Sequence, residues 1–128
     1  MNKRFALLTG TLLAGLAVAL GAFGSHALKA MLIQNGHTDT FETAVRYQMY
    51  HALALLLVGA LMKSETEKKA SIAAGLFITG TILFSCSLYL LCLYPLPGVV
   101  YLTPIGGVLF MAGWIFLLLH FLGNKKTA

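Results

Sequence analysis

Seven polar side chains able to bond, pair or move protons crowd into one short stretch: Glu42, Thr43, Arg46, Tyr47, Gln48, Tyr50 and His51. They open an otherwise apolar run, and charges entering hydrocarbon are costly unless they pair or line a wet cavity. On a helix turning about 100° per residue, Glu42, Thr43, Arg46, Tyr47 and Tyr50 fall within about 140° of one another, with His51 at the edge. Glu42 precedes Arg46 by four positions, the better order for an ion pair, so a salt bridge between them is expected. Left free, Arg46 would hold an anionic or carbonyl group, with Gln48, His51 and the tyrosines supplying hydrogen bonds.

Other candidates lie outside that stretch. Ser25 and His26 follow the first apolar run, and Ser85, Ser87 and Tyr89 lie within the third. A general base, His51 or His26, must come within about 3 Å of its proton or act through one water. Ser25 adjoins His26, and Ser85 shares a depth with His51, but neither arrangement makes a triad. No HxxxH or HExxH spacing occurs, and His51 and His120 lie at opposite depths, so neither a metal site nor a cofactor is expected. Cys86 and Cys92 are six positions apart, about 9 Å on a helix, too far for a disulfide within the segment. They read as small, buried apolar residues.

The elements that position these groups are membrane spans. Of the 128 residues, 59% are hydrophobic and only 10% charged, with a mean hydropathy of +0.84. A soluble domain carries about 25% charged residues, so this chain lacks the polar surface a water-soluble fold needs. The net charge of +5 is scattered in pairs beside apolar runs rather than gathered in a patch, which excludes nucleic acid as a partner.

The pattern predicts one transmembrane domain over 1–128, an all-α four-helix bundle with helices over about 5–23, 43–62, 71–93 and 104–122. The first run, with Lys3 and Arg4 before it and small residues after it, also has the make-up of a signal peptide; it is read here as a retained first helix. SHALKAMLI, at 25–33, has the mixed spacing of a short interfacial helix, and Gln34, Asn35 and Gly36 break it. Asp39 or Thr40 is the expected N-cap of the second span, with Glu42 completing a capping box to Asp39. KSETEKK, at 63–69, is a charged loop. Thr103 is the expected cap of the fourth span, with Pro104 at its first position. Trp114 falls near mid-membrane, where it would pack on a neighbouring helix.

Four crossings put Lys3, Arg4, Lys63, Lys68, Lys69, Lys125 and Lys126 on one side and leave Lys29 and Arg46 on the other. That bias orients both termini to the cytoplasm. All five tyrosines then fall toward the outer interface, where such rings anchor helices. Polar groups from three segments thus share the outer half of the bundle, above an almost wholly apolar inner half. Gly10, Ala14, Gly15, Gly75, Gly80, Gly106, Gly107 and Gly113 allow close helix approach.

Four blocks in order carry a family pattern: GAFGSHALK at 21–29, FETAVRYQMYHALALL at 41–56, LFSCSLYLL at 83–91, and TPIGG at 103–107 followed by GW at 113–114. The chain resembles the "domain of unknown function 423" family of small membrane proteins, which also embraces the transmembrane protein 256 group. Cys86 stands where that pattern would place a small residue such as Gly. The resemblance implies a polytopic membrane protein and supplies no activity, substrate or catalytic residue.

Three functions compete. A structural or accessory component of the bacterial inner membrane, in a homo-oligomer or larger complex, is favoured by small size and abundant helix-packing residues. Ser, Thr, Gln and His commonly hydrogen-bond between membrane helices, so the polar cluster would then fasten the bundle. The alternative is a binder or carrier of a lipid, quinone or small solute, with Ser25, His26, Glu42, Arg46, Tyr47, Gln48, Tyr50, His51, Ser85 and Ser87 lining its site. An enzyme with a histidine base is the least favoured. Alternating-access transport is unsupported, because no two spans are broken at matching positions.

Overall fold

A computed structural model describes residues 2–63, 67–94 and 96–123. Helix α1, Lys3–Ser25, is capped by Asn2, whose Oδ1 accepts from the Phe5 N–H at 2.7 Å. After a turn comes the short α2, Lys29–Gln34. Its end is closed by Gly36 at φ 68°, with the Gly36 N–H donating to the Ile33 carbonyl and the His37 N–H to that of Leu32. This is a Schellman closure, which needs a left-handed residue and so favours glycine.

Helix α3, Thr38–Leu61, starts directly after that closure. The expected capping box is therefore corrected. His37 is the N-cap, no side chain caps the helix, and Asp39 already lies within its first turn. The closure and the packing of Phe41 on Leu32 fix where the helix begins, overriding the local Asp39–Glu42 signal.

The third span, α4, runs Lys68–Leu93 and contains a π-helical turn at Ile82–Cys86. Gly98, at φ 86°, and a 3-10 turn at Val99–Tyr101 lead into α5, Leu102–Gly123. Thr103 is accordingly not the cap expected of it but already helical, and its hydroxyl turns to Ser87 instead. Pro104 still sits in the first turn, where its missing N–H costs nothing. Residues 64–66 of the expected charged loop, and Lys125 and Lys126, lie outside the described residues.

Four helices are long and apolar enough to cross a membrane, and no strand occurs among the described residues. With 24 residues, α3 is about 36 Å long, against about 30 Å of hydrocarbon. The spans pack as two hairpins, α1 on α3 and α4 on α5, joined along α3 and α4. Leu55, Val58, Met62, Ala73, Phe77 and Leu117 belong to one buried apolar cluster. Phe5, Leu8, Leu12 and Leu16 of α1, with Val108, Met111, Ile115 and Leu118 of α5, face outward as an apolar belt.

Basic residues close one end of the bundle. Lys3 Nζ donates to the Met62 carbonyl at 3.4 Å and Lys69 Nζ to that of Leu119 at 3.3 Å, each at a helix C-terminus, where cations are favoured. His120 Nε2 meets Glu67 Oε2 at 3.4 Å beside them. The start of α1, the end of α3, the start of α4 and the end of α5 therefore share this end. The polar cluster of α3 lies toward the other.

Candidate functional site

The polar residues of α3 separate into three directions, because successive residues on a helix diverge by about 100°. Gln48 points inward and is only 4% exposed. Its Nε2 donates to the Leu13 carbonyl of α1 at 2.9 Å, and its Oε1 accepts from Tyr89 Oη of α4 at 2.9 Å. One amide thus ties three helices. Ser85, fully buried on the π turn of α4, donates to the Ala44 carbonyl of α3 at 2.9 Å. Ser87 bonds the Phe84 carbonyl at 2.8 Å and Thr103 Oγ1 of α5 at 2.6 Å. These residues fasten helices.

His51 turns toward α5. Its ring stacks on Phe110 with centroids 3.4 Å apart and planes 7° from parallel. Trp114 Nε1 donates to His51 Nε2 at 3.2 Å, and His51 Nδ1 lies 2.8 Å from the Tyr47 carbonyl. An indole N–H only donates and a carbonyl only accepts, so Nδ1 carries the proton and the imidazole is neutral. Both nitrogens are spent, which leaves none to act as a general base. Tyr47 stacks on Phe84 at 4.7 Å. Tyr47, His51, Phe84, Pro104, Phe110, Met111 and Trp114 line a shallow aromatic groove of about 430 Å³.

Glu42 and Arg46 turn the other way, toward α1 and α2. They line an open groove of about 470 Å³ with Lys29, Ser25 and Thr38, floored by Leu32, Phe41 and Val45. Gly21 and Gly24 of α1 form its far wall. The expected Glu42–Arg46 salt bridge is corrected, because among the described residues no ion pair joins the two or reaches Lys29. Both side chains are exposed. In the outward direction between the two grooves, Tyr50 is 55% exposed. His26, also exposed, ends α1 through its backbone N–H, which bonds the Ala22 and Phe23 carbonyls.

The ten candidate residues therefore do not converge. Ser25, Glu42 and Arg46 share the charged groove, Tyr47 and His51 the aromatic one, and Gln48, Ser85 and Ser87 are spent inside the bundle. Tyr50 and His26 line neither groove. Sequence reasoning missed Lys29 as a groove residue, although its isolation on the less basic side was a usable signal. It also missed the Trp114–His51 bond, for which sequence offers none. Of the two cysteines expected to be buried, Cys92 is and Cys86 is not; both are free. No group of three or more His, Cys, Asp or Glu that could hold a metal occurs among the described residues.

The family described as "Protein of unknown function (DUF423)" matches residues 20–107. A UPF0382 membrane protein of Staphylococcus aureus (strain bovine RF122) is 42% identical over 113 residues, covering 88% of this chain and 91% of that one. A second, from Staphylococcus haemolyticus (strain JCSC1435), is 38% identical over 113 residues, with the same coverage of 88% and 91%. The UPF0382 membrane protein YwdK of Bacillus subtilis (strain 168) is 39% identical over 110 residues, covering 85% of this chain and 89% of its own length. No solved structure matches the chain.

Proposed function

The chain belongs to the DUF423 family of small polytopic membrane proteins, and on that premise we propose that it is an accessory membrane component that holds a phospholipid head group in the groove between α1, α2 and α3. One observation carries the reading: Arg46 and Lys29 face a single groove of about 470 Å³ and form no ion pair among the described residues. An unpaired cation at a membrane boundary is costly unless water, a carboxylate or a phosphate answers it. Arg offers a planar fork that grips phosphate oxygens through two parallel hydrogen bonds, and Lys adds a point charge. Leu32, Phe41 and Val45 give the groove an apolar floor against which acyl chains would lie.

The volume falls within the usual range for small-molecule sites, about 300–1,000 Å³. The same reading places the chain in a bacterial plasma membrane with both termini in the cytoplasm. The grouping of Lys3, Lys69 and the other basic residues at one end supports that orientation. The groove then opens at the outer leaflet.

The test is lipid retention. Protein purified in mild detergent should carry phospholipid that survives washing, quantified by mass spectrometry. Arg46→Gln and Lys29→Gln should each reduce it about tenfold, the scale of one charge-assisted contact of about 1.4 kcal/mol. Equal retention in all three proteins would refute the reading.

A further inference from the structure

The groove presents charges of both signs, and it presents them separately. Glu42 stands one helical turn before Arg46, in the order that ordinarily pairs, yet the two remain apart; Lys29 approaches from α2 and binds neither. Resting on the lipid-binding reading above, we infer that the groove selects a head group bearing both a phosphate and a primary ammonium, the phosphatidylethanolamine class. Arg46 and Lys29 take the phosphate, and Glu42 takes the ammonium.

Glu42 decides between the candidates. A purely anionic head group would use the two cations but would sit beside an unanswered carboxylate, a repulsive element of the kind that specificity requires. A zwitterionic head group answers both signs at once. The placement fits, since side chains four apart on a helix are neighbours on one face, and both line the same groove, so one short head group can meet both charges.

The hydroxyls of Ser25 and Thr38 line the same groove. A primary ammonium donates three hydrogen bonds, so one carboxylate and neighbouring hydroxyl oxygens can all accept from it. A quaternary ammonium donates none and is bound instead by a cage of aromatic faces. Phe41 is the single aromatic ring among the described residues lining this groove, so phosphatidylcholine is disfavoured.

The experiment uses the full chain in detergent, delipidated and then titrated with phosphatidylethanolamine, phosphatidylglycerol or phosphatidylcholine, with bound lipid counted by native mass spectrometry. The wild type should bind phosphatidylethanolamine about fivefold better than either competitor, and Glu42→Gln should erase that preference by weakening phosphatidylethanolamine and strengthening phosphatidylglycerol. Glu42→Asp, which keeps the charge, should retain part of the preference. Circular dichroism confirms that each variant is folded, which exposed substitutions at Glu42 allow.

The two readings fail differently. Should the wild type bind phosphatidylglycerol as well as phosphatidylethanolamine, or Glu42→Gln leave their ratio unchanged, the selectivity is overturned while lipid binding stands. If the wild type binds none of the three lipids, or Arg46→Gln binds all three unchanged, both readings fall.

Discussion

Arg46 and Tyr47 are neighbours in the chain and lie on opposite flanks of α3. Beside Tyr47 and inside the bundle, the His51 nitrogens and the polar groups of Gln48, Ser85 and Ser87 are answered by protein. His51 is held by Trp114 and by the Tyr47 carbonyl, while Ser85, Ser87 and Gln48 bond backbone or side chains of neighbouring helices. On the flank of Arg46 the charges are answered by nothing among the described residues. The contrast separates two uses of polarity in a membrane. A group whose bonds are filled inside the bundle stabilises the fold and has nothing left to offer a ligand. A group left unfilled at the boundary contributes little to stability and remains available. Among the described residues, the one buried side-chain atom lacking a hydrogen bond is Glu67 Oε2, at the far end of the bundle and within 3.4 Å of His120. Among the described residues, the open groups toward the other end of the bundle are thus confined to the charged groove and the exposed surface.

The largest effect should come from the joint between the hairpin partners α4 and α5. A Cβ on Gly106 would lie 2.5 Å from the Phe84 nitrogen and 2.9 Å from its Cα, both backbone atoms of the π turn. Gly106→Ala should therefore cost about 2–3 kcal/mol, because backbone cannot yield as a flexible side chain does. Thermal unfolding in detergent measures it. An unchanged midpoint would mean that the π turn shifts freely and does not set the aromatic flank.

Next comes Gln48→Leu, which removes bonds to Leu13 and from Tyr89 and leaves a phenol without its partner. A cost of about 1–2 kcal/mol is expected, at the upper end for polar contacts between membrane helices. Trp114→Phe keeps a ring but deletes the hydrogen bond to His51, for about 0.6 kcal/mol. Neither change should alter lipid retention. Loss of bound lipid in either variant would break the division between the flanks.

Much of the frame was legible in the sequence because composition and run length suffice for it. Four apolar runs too long for a small soluble core, with lysines at alternate ends, allow little besides an antiparallel bundle. The packing of Trp114 on a neighbouring helix comes from the same pattern. Illegible were the places where tertiary packing overrides a local signal. Asp39 and Glu42 resemble a capping box, but the glycine closure after α2 begins the helix earlier. The π turn leaves no local mark, since ILFSC is ordinary helix sequence; it arises where Gly106 lets α5 press on Phe84. By inserting a residue it rotates the remainder of α4, and the exposed Cys86 lies at its end. Glu42 and Arg46 have the spacing of a pair, yet spacing only permits an exposed pair, worth about 0.3–0.5 kcal/mol, and cannot compel it.

The smallest expected effect on stability is the most informative. Arg46 is exposed and makes no hydrogen bond or ion pair with the described residues, so Arg46→Gln removes only hydrated charge and the packing of its stem. Its unfolding midpoint in delipidated detergent should shift by no more than about 0.5 kcal/mol, the ordinary range for surface substitutions. With phospholipid added, the wild type should gain stability while the variant gains little, because a ligand stabilises only the state that binds it. The two measurements together separate a structural arginine from a ligand-holding one. A structural arginine would destabilise the lipid-free protein when replaced, whereas a ligand-holding one would leave that midpoint in place and abolish the increment that lipid confers. Should the lipid-free midpoint fall by as much as in Gln48→Leu, the flanks would not differ in kind, and Arg46 would belong with the fasteners.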